Sequence, residues 1–264
     1  WYQSGMRRRS GHTLGRRRTE RIWVPQRPGW APPVHASTRC ESPVHLTTDG
    51  PVVLFGGSFD PPTLAHITLA PLAAEALNAS RLVYVLAAVS PHKLNRPPAS
   101  DDDRLAMLRL ALLDCPEAQI DTRELHRSGP SYTIDTLTEW RSEVDPTCTL
   151  RLLIGTDQAR VFHRWHRWRD ILSLATPAVM VRSEDNVNDV LDDISQGQGP
   201  SAVDQWRPWM LDLPRMPQRS TMARTNASCG FDLDDQVVSQ VQNYITSNDL
   251  YQGIAIEDAS DRES

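Results

Sequence analysis

The stretch Val52-Val53-Leu54-Phe55-Gly56-Gly57-Ser58-Phe59-Asp60-Pro61-Pro62-Thr63-Leu64-Ala65-His66 decides the fold. Its first part is an apolar run rich in Val and Leu, the composition of a buried strand. Two glycines break the run, the chain turns through Asp60-Pro61-Pro62, and an apolar helical pattern begins at Leu64. A glycine turn between a strand and a helix leaves backbone N–H groups pointing outward at the helix start. Phosphate is the ligand such a turn suits. Thr63 falls at the N-cap, where its hydroxyl can serve the helix or a ligand. His66 follows in the first helical turn, within reach of the same anion. An ordinary strand-turn-helix with a capping Thr and a chance His shares this outline. It is the complete string, more than the Gly-Gly pair, that favours a phosphate site.

Working outward, strand and helix patterns alternate. Residues 52–55, 82–88, 119–121, 150–154 and 178–181 read as strands. Residues 64–77, bent near Pro71, then 101–113 and 132–141 read as helices, and Ser100 caps the second ahead of three aspartates in its first turn. Such alternation predicts an α/β fold, a Rossmann-like doubly wound parallel sheet with helices on both faces. Ligands then bind outside the carboxyl ends of the strands. The segments starting at Gly56, Ser90 and Gly155 each begin where a strand ends, so they should converge on one cleft. Residues 183–207 are polar and acidic without clear periodicity, and are expected to be a surface insertion or mobile loop.

This domain is expected to span residues 51–253. Before it, residues 1–50 carry Arg7-Arg8-Arg9, Arg16-Arg17-Arg18 and many prolines, and read as a disordered basic arm. The arm is Arg-rich and acid-poor like a transit peptide, yet lacks a clear amphipathic helix. A native arm, a processed segment and a misplaced start all fit. Residues 254–264 form a short acidic tail.

The 264 residues suffice for one α/β domain with a large core, and the net charge of -5 argues against nucleic acid as a partner. Cys40, Cys115, Cys148 and Cys229 are scattered without C-x-x-C spacing, which argues against a zinc site or disulfide framework and fits a reducing, cytoplasmic compartment. No apolar run approaches the ~20 residues of a membrane span. The basic residues number 28, and all but Lys93 are arginine. A bias against lysine codons explains the excess of Arg but not the exception. A lysine that must set a compact ammonium on a phosphate could not become Arg, which points Lys93 towards the site.

The opening string resembles the signature of the nucleotidylyltransferase superfamily, G-x-F-D-P followed by H/T-x-G-H. Further strings are similar, in order, to bacterial nicotinate-nucleotide adenylyltransferases: Ser90-Pro91-His92-Lys93, Arg104-Leu105-Ala106-Met107-Leu108, Arg127-Ser128-Gly129-Pro130-Ser131-Tyr132-Thr133, Ile154-Gly155-Thr156-Asp157, Ser220-Thr221-Met222-Ala223-Arg224, and the closing Val241–Ile245 and Leu250-Tyr251. The likeness covers about residues 51 to 253. It implies transfer of the adenylyl group of ATP to nicotinate mononucleotide, giving nicotinate adenine dinucleotide and pyrophosphate for NAD synthesis.

The resemblance also implies roles. His66, Lys93 and Arg224 would be the catalytic groups. Gly56, Gly57, Ser58, Phe59, Thr63, His66, Gly155, Asp157, Ser220, Thr221 and Arg224 would hold ATP, with Ser220 and Thr221 as an N-cap pair. Lys93, Tyr132, Thr133 and Trp165 would hold nicotinate mononucleotide, Trp165 by stacking. Mg²⁺ would ride on the ATP phosphates, since no carboxylate cage of the chain's own is evident. Trp168 reads as core packing, and His163 and His166 as a solvated face. The sequence departs from the family at Thr63, at Ala65, and at Gln218-Arg219, where bacterial members usually carry Ile-Ser. A sister enzyme acting on nicotinamide mononucleotide or another phosphorylated acceptor, and a non-catalytic nucleotide-binding protein, stay open. So does a homo-oligomeric state.

Overall fold

A computed structural model describes residues 49–88 and 99–252, all within one compact unit. The basic arm, Ser90, Lys93 and the acidic tail lie outside the described residues.

Strand β1 (Val52–Gly57) pairs with β2 (Arg81–Leu86) on one side and β4 (Leu150–Gly155) on the other. Strand β3 (Ala118–Asp121) flanks β2, while β5 (Thr176–Met180) and the short β6 (Met210–Leu211) continue beyond β4. All pairings are parallel, and the order is β3-β2-β1-β4-β5-β6, the doubly wound sheet expected from the alternation. Side chains alternate across it. Val52, Leu54, Val83, Val85, Leu152 and Ile154 face one core, whereas Val53, Phe55, Leu82, Tyr84, Leu86 and Leu153 face the other. Both faces are covered, which is why the strands read as continuous apolar runs.

Helix α1 (Leu64–Ala76) continues through Pro71 and buries Leu69, Ala70, Ala73 and Ala74. Helix α2 (Asp101–Ala111) starts at Ser100, whose hydroxyl accepts from the Asp103 N–H, as expected. Leu108 packs in the core beneath α1. Met107 and Ala111 meet a third cluster formed with α8 (Ser220–Ser228) and α9 (Ser239–Ser247). On the opposite face lie α3 (Thr133–Glu143), α4 (Thr156–Arg160) and α5 (Trp168–Leu174).

Several expectations need correction. Strand β1 runs through both glycines instead of breaking at them, with Gly56 and Gly57 in register with Val85 and Leu86. Residues 183–207 are not a mobile loop: they hold α6 (Val187–Gln198) and α7 (Ala202–Trp206). Val190, Leu191, Ile194 and Trp206 are fully buried in the core. With Val187 packed against the same core, the apolar residues stand at i, i+3, i+4 and i+7 and form the stripe that docks the helix. Finally, α8 is capped by Arg219, and Ser220 is its first helical residue, so Ser220 and Thr221 are not an N-cap pair.

Candidate active site

The strand order reverses direction between β1 and β4, and a cleft of about 2120 Å³ opens at their carboxyl ends. Gly56, Gly57, Ser58, Phe59, His66, Gly155, Asp157, Ser220, Thr221, Arg224, Tyr132, Thr133 and Trp165 all line it. Residues far apart in the chain thus converge as the sequence predicts. Lys93 lies outside the described residues. Thr63 is the exception among those described, being only 1% exposed.

The glycine turn is held from several sides. A Cβ on Gly57 would stand 2.9 Å from the Phe59 ring, so glycine is required there, whereas Gly56 borders open space. Phe59 sits in the left-handed region (φ 44°), its ring buried among Phe55, His66 and Tyr84. The buried Arg104 donates at 2.8 Å to the carbonyls of both Ser58 and Ala87, tying the turn to the end of β2. Tyr251, near the end of the described chain, donates to Asp60 Oδ1 at 2.8 Å. Beside that carboxylate its phenol is pushed far above the usual range, chiefly by burial.

Thr63 caps α1 as expected, but its side chain is directed at His66. His66 Nδ1 accepts the Thr63 backbone N–H at 2.9 Å and lies 2.8 Å from Thr63 Oγ1. This reciprocal arrangement resembles a capping box with His in place of Glu or Gln. With Nδ1 occupied as an acceptor, the ring proton belongs on Nε2, which leaves a neutral N–H donor for the cleft. Burial, and then the nearby Arg182 charge, push the imidazole down to about 4. The ring is therefore neutral at pH 7, and Thr63 fixes its orientation.

Arg224 donates to the Asp60 carbonyl at 2.7 Å and reaches Thr221 Oγ1 at 3.4 Å. Ser220 Oγ donates to the Pro61 carbonyl at 2.8 Å, which docks the start of α8 against the β1–α1 turn. Arg182, two residues beyond the end of β5, pairs with Asp157 at 2.7 Å in the cleft. Sequence reasoning did not single out Arg182, although its place at a strand's carboxyl end was the available signal.

At the other end, Tyr132 caps α3 and Thr133 opens it. The Tyr132 ring lies 4.5 Å from that of His166. Trp165 is half-buried, 4.9 Å from the Phe162 ring. Beneath them Glu124, 8% exposed, accepts from Thr136 Oγ1 at 2.6 Å. Arg127 donates to both Thr136 Oγ1 and Ser131 Oγ at 2.8 Å, locking the turn before α3 to the helix. Sequence reasoning quoted Arg127 without this role and missed Glu124. Trp168 packs against the core as expected. The solvated-face reading fails for His163, which packs so closely on Gly197 of α6 that a Cβ there would lie 2.2 Å from its Nδ1. No group of three His, Cys, Asp or Glu able to hold an ion occurs among the described residues.

The chain matches the family described as cytidylyltransferase-like over residues 54–226. It is 34% identical over 203 residues to a probable nicotinate-nucleotide adenylyltransferase of Albidiferax ferrireducens, covering 75% of this chain and 96% of that one. The protein of the same description from Serratia proteamaculans is also 34% identical, over 210 residues, covering 75% and 94%. Among solved structures, nicotinic acid mononucleotide adenylyltransferase of Plasmodium falciparum complexed with NaAD shares the fold. The TM-score is 0.60 at 17% identity, over 76% of this chain and 97% of that one.

Proposed function

The chain belongs to the cytidylyltransferase-like family, among its nicotinate-nucleotide adenylyltransferases, and from that premise we propose that it transfers the adenylyl group of ATP to nicotinate mononucleotide. The products are nicotinate adenine dinucleotide and pyrophosphate, and the reaction is a step of NAD synthesis in the cytoplasm. ATP enters as its magnesium complex, so the metal is part of the substrate.

An oxygen of the mononucleotide's 5′-phosphate attacks the α-phosphorus of ATP. A P–O bond forms there as the bond to the bridging α–β oxygen breaks, and magnesium pyrophosphate leaves. The nucleophile is already an anion, so no general base is needed, and the protein's task is positioning and charge stabilisation. The observation that carries this reading is His66, clamped through Nδ1 by Thr63 with its other nitrogen free to donate into the cleft. A pre-aimed neutral donor stabilises charge as it builds on phosphate oxygens without first being desolvated.

The other roles follow the same logic. The backbone of Gly57 and Ser58 receives phosphate oxygens at the turn. Arg224, one helical turn beyond Thr221, supplies a forked cation to the departing pyrophosphate. Lys93 is proposed, from its sequence motif, to add an ammonium at the reacting phosphates. Asp157 and Gly155 take the adenosine ribose. Tyr132 and Thr133 present the start of α3 to the nicotinate carboxylate, since a helix N-terminus favours an anion over a neutral amide. Trp165 stacks on the pyridine ring.

The test compares pyrophosphate release with MgATP and either mononucleotide. A kcat/KM for nicotinate mononucleotide at least ~10-fold above that for nicotinamide mononucleotide is expected from one charge-assisted contact. Equal values, or a preference for the amide, would overturn the assignment of the acceptor.

A further inference from the structure

Three of the arginines that line the cleft each rest on one carboxylate. Arg182 pairs with Asp157, Arg224 lies 4.0 Å from Asp60, and Arg219 pairs with Glu184. The reaction proposed above gives Arg224 a place, and Arg182 holds Asp157, which it also uses. Arg219 has no task in that reaction.

Its surroundings suggest one. Arg219 is the cap residue of α8, and its carbonyl accepts the Ala223 N–H at 3.0 Å, so its backbone is fixed beside Ser220, Thr221 and Arg224. Through Ser220 Oγ this turn is bonded to the Pro61 carbonyl of the β1–α1 loop. Arg219 therefore lines the cleft beside the residues assigned above to the phosphates. Two other arginines nearby donate to backbone carbonyls. Arg104 serves Ser58 and Ala87, and Arg215 serves Arg182 and Asp185. Arg219 is held instead by an exposed ion pair, with side chains 36% and 47% exposed for Arg219 and Glu184. An ion pair at that exposure is weak and easily exchanged. A triphosphate offers more charge than one carboxylate, and its oxygens match the guanidinium fork.

We propose that Arg219 is a further ligand of the ATP β- and γ-phosphates, exchanging its Glu184 partner for the substrate when MgATP binds. This rests on the adenylyltransferase reading. It adds a further cation on the leaving group, so pyrophosphate is also held more tightly.

The experiment measures MgATP and magnesium pyrophosphate binding by calorimetry, and steady-state kinetics, for the parent, Arg219→Ser and Glu184→Gln. Arg219→Ser should weaken both ligands about tenfold, the loss expected for one charged hydrogen bond. Its KM for nicotinate mononucleotide and its melting temperature should match the parent. Glu184→Gln should tighten MgATP by about two- to fivefold, because the competing carboxylate is gone. Parent-like MgATP binding by Arg219→Ser would overturn the proposal. So would Glu184→Gln weakening MgATP as Arg219→Ser does, since the pair would then be structural. Should Arg219→Ser fail to fold, Arg219→Lys and Glu184→Gln carry the same test. Calorimetry needs no acceptor, so a parent that binds MgATP but makes no dinucleotide would contradict the reaction and leave the Arg219 result readable.

Discussion

Replacing His66 with Ala removes two things at once, and the structure separates them. The first is the Nδ1 acceptor of the Thr63 N–H, one of the bonds that caps α1. Cap losses cost about 0.5–2 kcal/mol, so the variant should fold with a modestly lower melting temperature. The second is the Nε2–H donor into the cleft. Loss of one pre-aimed donor to developing charge lowers turnover by about 10²- to 10³-fold. His66→Ala should therefore lose far more activity than stability, with pyrophosphate release as the assay. The pH signature is equally specific. In the fold the imidazole sits at about 4, against 6.5 for the ordinary group. The folded state thus favours the neutral ring, and the associated stability is complete above 6.5 and is lost as pH falls from 6.5 through about 4. The full difference approaches ~3 kcal/mol, and His66→Ala should lack it. Nitrogen NMR of the ring at pH 7 should show the neutral Nε2–H tautomer. Turnover within a few-fold of the parent, or a ring protonated near pH 6.5, would refute the reasoning.

Three other outcomes follow from separate parts of the chain. Lys93→Arg should lower kcat/KM by roughly 1–3 kcal/mol, because a planar guanidinium cannot occupy the space of an ammonium on a phosphate; steady-state kinetics with MgATP varied reads it. Removing residues 1–48 should leave activity and melting temperature close to the parent, because the arm has no apolar pattern that could join the core; a calorimetric scan and the same assay decide. Arg104→Met should cost about 3 kcal/mol or more and abolish turnover, since the Ser58 and Ala87 carbonyls lose their shared buried donor; denaturant titration measures the first effect.

The sheet was legible because its strands are buried on both faces and announce themselves as runs of Val, Leu and Ile bounded by glycine or polar turns. Once β1, β2 and β4 are recognised, the doubly wound topology places Gly56 and Gly155 side by side, and most of the cleft follows. Less legible were elements whose signal is sparse. Helix α6 does set Val187, Val190, Leu191 and Ile194 towards the core at helical spacing, but they stand among acids and amides that mask the period. Side-chain direction was also hidden. The sequence placed Thr63 at a cap, but nothing in its spacing told whether the hydroxyl would face a ligand or His66. Likewise Ser220 reads as a capping hydroxyl, yet it spends its proton on the Pro61 carbonyl, a partner 159 residues away. Long-range bonds such as this one, or Tyr251 to Asp60, have no local periodicity to betray them.

The most direct test of the proposed reaction uses ATP labelled in its α-phosphate. With nicotinate mononucleotide present, the label should move into nicotinate adenine dinucleotide, with one pyrophosphate released per dinucleotide formed. Label recovered only as unreacted ATP, or released as AMP without dinucleotide, would contradict the account.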